Sequence, residues 1–306
     1  MIAAWVLFLA GAASAANSPL DYDGKPPAHA SVREVARDSR RVEYEVTFPS
    51  ALKSPFPSND TVWGHFSVPV ATGSAPCILV LPVMAAPNIW IEERFIKRFE
   101  ADGFAVLWLE MPYQFHRRPN PLIPSGQVFL ARTAKRLSFN FRQSALDARR
   151  ALAWLTTRPE VDAKRIGIFG ISLGAMVGSA AYSVDSTPSY AVFLLGGADF
   201  PDLAAHSSMT GPFIRKAGID LGSLAQAWRG LDPLDYVAGN IGKQVLLINV
   251  LWDHVIPKAN ALKLKAAFPA SRQMWLPFGH YSAIIHLLWI PAVVSRDFQK
   301  HLTAAH

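Results

Sequence analysis

The sequence has a single cysteine, Cys77, so no disulfide can form within the chain and the redox state of its compartment is not indicated. Cys77 lies in an apolar run, where a lone cysteine behaves as a small buried hydrophobe. No cysteine and histidine cluster has the spacing of a metal site. Internal repeats and low-complexity tracts are also absent. What remains is a chain of 306 residues with 51% apolar content, which is enough for one large globular core.

The N-terminus has no lysine or arginine before Trp5, although its first residues are almost wholly small or apolar. Residues 2–9 supply the apolar core of a signal peptide, and the Ala-Ser-Ala at 13–15 fits its cleavage site. The run is too short for a comfortable membrane span, and no cysteine marks a lipoprotein. We predict a signal peptide at 1–15 and export, to the periplasm or beyond if the source is bacterial. A buried N-terminal helix or a retained anchor is the alternative.

Acidic residues are too few to balance the basic ones, and the net charge is +7. The basic residues concentrate at 117–118 and 132–142, where phenylalanines lie among them. No recognised nucleic-acid motif accompanies this cluster, so we expect no nucleic-acid partner. A solvated basic helix face is the simplest interpretation. Mild attraction for anionic substrates or a cell-envelope polymer is the functional alternative.

The most informative segment is a short apolar strand at 166–169 that runs into Gly170-Ile171-Ser172-Leu173-Gly174 and then a helix of small residues. A serine at a sharp strand-to-helix turn needs neighbours that are nearly free of side chains, and Gly170 and Gly174 supply them. The pattern predicts a nucleophile at Ser172. A solvated serine in a glycine-rich turn is the alternative.

A serine hydroxyl needs a base to take its proton and a third group to orient that base. Where a serine at such a turn is the nucleophile, the acid and then the histidine follow it along the chain. Asp253 follows a buried strand at 244–250, and His280 follows a short strand at 272–276. Both lie where parallel sheets place ligand-binding groups. We therefore predict a catalytic triad of Ser172, Asp253 and His280.

Other residues compete for the acid and base positions. Asp253 could instead cap the helix that follows it, and Asp235 is a rival acid within a turn and helix start. His254 is a sequence neighbour of Asp253, so its side chain should point away from the acid. His286 lies in an apolar stretch as a packing residue, and His206 precedes Asp253 in the chain.

An oxyanion needs preorganised N–H donors. One donor should be the backbone N–H of Leu173, the residue after the nucleophile. The second should come from the loop after the strand at 77–81. Pro82 has no N–H, so we predict Met84 as the second donor, with Val83 as the next candidate.

Strands alternate with amphipathic helices from residue 78 onward, which predicts a mostly parallel sheet with helices on both faces. Alternation over 41–48 and 61–69 predicts an antiparallel N-terminal strand pair. The apolar residues 283–294 predict a last core helix that Pro291 kinks or splits. The fold class is therefore α/β, a doubly wound and mostly parallel sheet.

We expect one domain over 41–306, preceded by a loose lead-in at 16–40. Two segments, 113–140 and 199–230, follow strand ends and are possible cap insertions that wall the substrate pocket. Ordinary surface elaboration is the alternative. Three large apolar residues of the second segment are the candidate pocket walls: Met209, Phe213 and Trp228.

Together these motifs resemble the α/β-hydrolase superfamily, and within it the dienelactone hydrolase-like and acetyl esterase-like bacterial enzymes. The resemblance covers roughly residues 60–300. The matching segments are 103–112 for the fourth strand, 147–155 for the helix before the elbow, 161–170 for the lead-in to the serine, 252–257 for the acid motif, and 279–280 for the histidine motif. The chain departs from many relatives at Pro82-Val83, where they carry His-Gly.

The resemblance implies the α/β-hydrolase fold and a serine hydrolase that cleaves a carboxylic ester through an acyl-enzyme intermediate. Dienelactone hydrolases use a cysteine, so Ser172 indicates the serine esterase branch. The implied partner is a small-molecule or lipid-like ester, with a short acyl chain and no cofactor. Nothing resembles the propeller domain of related peptidases. A peptidase, acyltransferase or phospholipid deacylase on the same triad remains an alternative, as does a non-catalytic binding protein on this scaffold.

Overall fold

The computed structural model describes residues 18–70 and 73–302. The predicted signal peptide lies outside them and stays a prediction. Within the described residues, one mixed sheet of nine strands has the order β1-β2-β3-β5-β4-β6-β7-β8-β9. The strands are β1 Ser31–Arg37, β2 Arg41–Pro49, β3 Thr61–Pro69, β4 Ala75–Leu81, β5 Ala105–Leu109, β6 Val161–Ile171, β7 Tyr190–Leu194, β8 Val245–Val250 and β9 Arg272–Leu276.

Helices follow most of the strands and cover both faces of the sheet. The α-helices of the described chain are α1 Trp90–Ala101, α2 Ala134–Leu155, α3 Leu173–Val184, α4 Phe200–His206, α5 Gly211–Lys216, α6 Leu221–Ala227, α7 Val237–Asn240, α8 Lys258–Ala267 and α9 Ile290–Leu302. None of the helices in the described part is long and apolar enough to cross a membrane.

The N-terminal strands are antiparallel, as predicted. β2 pairs with β3 over the full register from Arg41 opposite Pro69 to Pro49 opposite Thr61. The segment predicted as a loose lead-in also holds β1, which pairs antiparallel with β2. β1 was not predicted, because nearly all its residues are exposed and the strand therefore lacks the alternation of apolar and polar residues that indicates a half-buried strand.

Strands β4 to β9 are parallel to their neighbours in this group, and the predicted doubly wound, mostly parallel sheet is confirmed. The central strands are buried on both faces, which is why they read as continuous apolar runs. One side of the sheet packs on α2 and α3, with Phe141 and Val177 in the core. The other side packs on α1 and α9, with Phe99 and Phe298 in contact.

The sequence predicted that Arg117 belongs to a solvated basic face, but the structure buries it. Its side chain is fully buried, and its guanidinium donates to Asp147 Oδ2 at 2.7 Å and to the carbonyls of Asn59 and Glu110. A buried cation is tolerated only when it is paired and hydrogen-bonded. These bonds fix the base of the 113–140 segment to α2 and to the loop before β3.

The segment after β9 also differs from its prediction. Residues Ser282–Leu288 form a 3-10 helix rather than a buried α-helix. Pro291 lies in the first turn of α9, a position where its missing N–H costs nothing. The chain thus splits before Pro291, as one of the two predicted outcomes. Most apolar residues of the 3-10 helix are partly exposed, and Leu288 is 91% exposed.

Candidate active site

Ser172 lies between β6 and α3 with φ 53° and ψ −112°, a strained conformation for a residue other than glycine. A Cβ atom on Gly170 would lie 2.3 Å from the carbonyl oxygen of Gly174. One on Gly174 would lie 2.0 Å from the carbonyl oxygen of Leu81. Both positions of the Gly-x-Ser-x-Gly motif therefore require glycine for a steric reason. The Ser172 N–H donates to the Leu194 carbonyl at 2.9 Å, which anchors the turn to β7.

The structure brings Ser172, His280 and Asp253 together. Ser172 Oγ lies 3.3 Å from His280 Nε2, and His280 Nδ1 lies 2.9 Å from Asp253 Oδ2. With Nδ1–H donating to the carboxylate, Nε2 is left as the acceptor for the serine proton. The side chains of His280 and Asp253 are only 8% and 3% exposed, so little water competes for these bonds.

Asp253 is held by its own loop after β8. Its Oδ1 accepts from the N–H groups of Val255 and Ile256, both at 2.8 Å. It does not cap α8, whose N-cap is Pro257. One carboxylate oxygen thus fixes the loop, and the other faces His280.

His280 follows β9, and its loop packs against the acid loop. The Trp252 N–H donates to the Phe278 carbonyl at 3.0 Å, and the Gly279 N–H donates to Ser282 Oγ at 3.0 Å. A Cβ on Gly279 would approach the Trp252 carbonyl oxygen to 3.1 Å, so a larger residue would push the two loops apart.

The competing residues have other surroundings. His254 is exposed, and His206 Nδ1 lies 3.0 Å from Asp202 Oδ1. His286 is buried with its ring against Phe278 and Trp289. Asp235 Oδ2 accepts from the Gly230 N–H at 2.8 Å.

The two predicted oxyanion donors are Leu173, which follows Ser172 in the chain, and Met84, which lines the same cavities. Leu173 is the first residue of α3, so its N–H has no carbonyl partner within the helix. The Val83 N–H donates to Glu92 Oε1 at 2.9 Å and is therefore engaged. Met84 follows it in the turn after β4 and lines the same cavities as Ser172.

The turn that carries Met84 is supported by residues that the sequence analysis did not single out. Gln114 Nε2 donates to the Val83 carbonyl at 2.7 Å. Ala85 has a positive φ of 59°, and a Cβ on Gly126 would lie 2.6 Å from the Ala85 Cα. The turn is thus clamped by α1 and by the 113–140 segment. Glu92 is 1% exposed, and this burial raises the pKa of its carboxyl.

Two cavities meet at Ser172. The inner one has a volume of about 70 Å³ and the outer one about 260 Å³. His280 lines only the outer cavity, whereas Met84 and Met209 line both. The inner walls include Phe129, Phe141, Leu173, Met176 and Trp228. The outer walls include Ile91, Leu194, Tyr281, Ile284 and Leu287.

Both predicted insertions contribute to these walls. Phe129 comes from the first, and Met209 and Trp228 come from the second. Phe213 lines neither cavity and packs instead against the core. Among the residues that the structure describes, no three histidine, cysteine or acidic side chains gather as a metal ligand set.

No family model matches the chain, and no curated protein matches it. Solved structures do. An acetyl xylan esterase from Paenibacillus sp. R4 is 21% identical over 90% of each chain, with a TM-score of 0.67. Acetyl xylan esterase 1 from Thermoanaerobacterium sp. is 16% identical over 84% of this chain and 87% of its own, with a TM-score of 0.62. An acylaminoacyl peptidase from Pyrococcus horikoshii is 17% identical over 88% of this chain and 49% of its own, with a TM-score of 0.64.

Proposed function

We propose that this chain, which has the α/β-hydrolase fold, is a serine hydrolase that cleaves carboxylic esters through an acyl-enzyme intermediate. One observation carries the proposal. A serine on a strained strand-to-helix turn lies 3.3 Å from a histidine that a buried aspartate orients. This arrangement activates a hydroxyl that is otherwise a weak nucleophile.

In the first step Ser172 Oγ attacks the ester carbonyl while His280 Nε2 takes the hydroxyl proton. Asp253 keeps Nδ1 protonated and stabilises the imidazolium that forms. The carbonyl oxygen becomes an oxyanion, which the N–H groups of Leu173 and Met84 hold. His280 then gives the proton to the leaving alkoxide. In the second step His280 takes a proton from water, and the water oxygen attacks the acyl carbonyl carbon. The bond from the acyl carbon to Ser172 Oγ breaks, His280 gives its proton to that oxygen, and the carboxylic acid is released. The proposal requires no cofactor.

The position of His280 orients the substrate. The leaving oxygen must lie beside the imidazole that protonates it, and His280 lines only the outer cavity. The alcohol part therefore occupies the outer cavity, and the acyl part occupies the inner one. The inner cavity of about 70 Å³ has room for only a few non-hydrogen atoms, which supports a short acyl chain. Apolar walls such as Ile91 and Leu287 support an apolar alcohol.

Hydrolysis of p-nitrophenyl esters from acetate to palmitate tests the proposal. We expect the fastest cleavage at the short end of the series. Ser172→Ala should lower kcat/KM by at least about three orders of magnitude. Ser179→Ala is the matched control, since Ser179 lies in α3, the helix that follows Ser172, and its hydroxyl donates to the Met176 carbonyl. A fluorophosphonate probe should label the wild type and the control but not Ser172→Ala.

The same experiment separates the other activities on this scaffold. Faster turnover of an amide substrate than of its ester would indicate a peptidase. Products formed with added alcohols would indicate an acyltransferase, and cleavage confined to long acyl chains would indicate a lipid deacylase. If the wild type cleaves no ester and resists the probe, the chain is a binding protein and the proposal fails.

A further inference from the structure

Large exposed apolar side chains come from the acid loop and from the segment 281–289, part of which lines the outer cavity, and we call this surface the apolar rim. Leu288 is 91% exposed, Tyr281 is 70% exposed and Trp252 is 61% exposed. Exposed apolar residues that are scattered singly are ordinary, whereas a group of them beside a cavity marks an interaction site. Its members are Trp252, Tyr281, Ile284, Ile285, Leu288 and Trp289.

The rim is one surface that continues into the catalytic cavity. Tyr281 and Ile284 are both exposed members of the rim and walls of the outer cavity. The acid loop joins it through the hydrogen bond from the Trp252 N–H to the Phe278 carbonyl. The Phe278 ring in turn packs on His286, which packs on Trp289.

Exposed cations lie on α1, which packs against the 3-10 helix of the rim, and at the start of α8, which follows the acid loop. The Arg94 guanidinium stacks over Trp90 in the first turns of α1, which contacts the 3-10 helix of the rim. Lys258 at the start of α8 stacks over Trp275. Glu93, the acidic neighbour of Arg94, is paired with Lys97 at 2.7 Å.

The final part of the chain is also predominantly basic. Between residues 251 and 302 the only acidic residues are Asp253 and Asp297. Asp253 binds His280 and Asp297 binds Arg272, so both are engaged within the fold. The basic residues of the same range are Lys258, Lys263, Lys265, Arg272, Arg296 and Lys300. Lys263 pairs with Asp199.

We propose that the apolar rim docks on an anionic lipid surface, from which an amphiphilic ester enters the outer cavity. The delivery step rests on the proposed function, whereas docking does not. Apolar side chains that enter the interface and cations that face anionic headgroups together give stable surface binding. A second copy of the chain is a poorer occupant. A two-fold contact would offer these cations few acidic partners, because Glu93, Asp253 and Asp297 are already paired within the fold.

Flotation of Ser172→Ala protein with vesicles tests docking without catalysis. We expect binding to phosphatidylcholine vesicles that contain phosphatidylglycerol, and much weaker binding to phosphatidylcholine alone. Adding Leu288→Asp should weaken binding by about tenfold or more, since a leucine is no longer buried in the interface. Adding Lys258→Glu should weaken binding to the anionic vesicles by about fivefold.

Matched controls lie near the amino ends of the strands, whereas the candidate site lies at the carboxyl ends. Ile241 is 64% exposed and precedes β8, and Lys164 is exposed near the start of β6. Ile241→Asp and Lys164→Glu should leave vesicle binding unchanged. Failure of Ser172→Ala protein to float with anionic vesicles would overturn the proposal. Equal effects of Leu288→Asp and Ile241→Asp would overturn it as well.

A second measurement separates this inference from the proposed function. In the active enzyme, Leu288→Asp should leave p-nitrophenyl acetate hydrolysis unchanged. It should slow cleavage of a short-chain ester of a long-chain alcohol embedded in anionic vesicles by about tenfold. Vesicle binding with no Ser172-dependent hydrolysis would refute the proposed function and leave docking intact. A dimer in sedimentation that Leu288→Asp dissociates, with no lipid binding, would assign the rim to a second copy and overturn docking.

Discussion

At Ser172 the chain holds a backbone conformation that costs about 1–3 kcal/mol. The surrounding structure compensates through the anchor of its N–H to the Leu194 carbonyl and through close contact between chain segments. That contact is possible only because Gly170 and Gly174 have no side chains. The strained turn places Ser172 Oγ beyond the end of β6, 3.3 Å from His280 Nε2. The same backbone conformation therefore serves the close packing of the turn and the contact between the serine and the histidine.

A methyl group at Gly174 should therefore be damaging. In Gly174→Ala the new Cβ would lie 2.0 Å from the Leu81 carbonyl oxygen, and the other close atoms are also backbone atoms of Leu81 and Pro82, which cannot move aside as a flexible side chain could. We expect the free energy of unfolding to fall by about 3 kcal/mol or more, with loss of ester hydrolysis. Urea unfolding measures the first and p-nitrophenyl acetate cleavage the second.

Gly242→Ala is the control for this substitution, because no atom lies within 4 Å of the position of its Cβ. It should change stability by less than about 1 kcal/mol. A Gly174→Ala protein with wild-type stability and activity would show that the elbow does not have this geometry.

Glu92 does not contact the substrate but positions the turn that carries Met84, through the hydrogen bond that it accepts from the Val83 N–H. Glu92→Gln keeps an Oε1 acceptor for the Val83 N–H, whereas Glu92→Ala removes it. We expect Glu92→Gln to stay within about threefold of the wild-type kcat, and Glu92→Ala to lose about tenfold or more with KM little changed. Equal losses in both variants would contradict the positioning role.

The same residue makes stability depend on pH. Burial raises the pKa of Glu92, so between its ordinary value and the raised one the folded protein holds a proton that the unfolded chain has released. Stability contributed by Glu92 is complete below the ordinary pKa and is lost as pH rises through the raised one. Urea midpoints across this window should therefore move in favour of Glu92→Gln relative to wild type as the pH increases. A constant difference would contradict the shift.

At the scale of elements, the sequence pattern locates the residues that follow strands. Ser172 directly follows β6, and Asp253 and His280 lie in the loops that begin at the ends of β8 and β9. Apolar runs identify each strand. The supports of the Met84 turn have no such signal, because Gln114 and Gly126 reach it only through the folding of a long irregular segment. Among these supports, only Glu92 has a signal in the sequence pattern.

The signal of Glu92 is that a charged residue lies on a helix face that is otherwise apolar. Glu92 lies on the same face of α1 as Phe95 and Phe99, which are fully buried. A carboxyl in this position is buried and must find a partner. The pattern could have marked Glu92 as unusual, but only the fold shows that its partner is the Val83 N–H.

The segment 199–230 should control acyl-chain length through Met209, which lines both cavities. Met209→Ala enlarges the space between them, so longer acyl chains should fit. We expect the ratio of kcat/KM for hexanoate to that for acetate to rise about tenfold, since each added methylene buries apolar area. The p-nitrophenyl ester series measures this ratio.

Phe213→Ala is the matched control, because Phe213 belongs to the same segment but packs against the core rather than a cavity. It should leave the ratio unchanged even if it lowers stability. A shift with Phe213→Ala and none with Met209→Ala would mean that the acyl group does not occupy the inner cavity.

At the scale of the whole molecule, the candidate triad extends from the centre of the sheet to its edge. Ser172 follows β6, which has strands on both sides, whereas His280 follows the edge strand β9. β9 is only partly buried, in contrast to the fully buried β7 and β8. Stability varies within a fold, and edge elements with few buried contacts open first. The serine and its base therefore depend on regions of unequal stability.

This difference predicts that activity is lost before the fold. In urea, the midpoint for ester hydrolysis should lie below the midpoint for far-UV circular dichroism. Arg272→Gln should lower the activity midpoint more than the dichroism midpoint, since Arg272 ties β9 to Asp297 of α9. Arg33→Gln is the control at the opposite edge, where Arg33 pairs with Glu45 at 2.8 Å and no triad residue follows the strand. It should leave the activity midpoint in place. Coincident midpoints in the wild type and both variants would contradict this prediction. They would mean that β9 unfolds only together with the whole sheet, and that His280 moves away from Ser172 only when the protein unfolds.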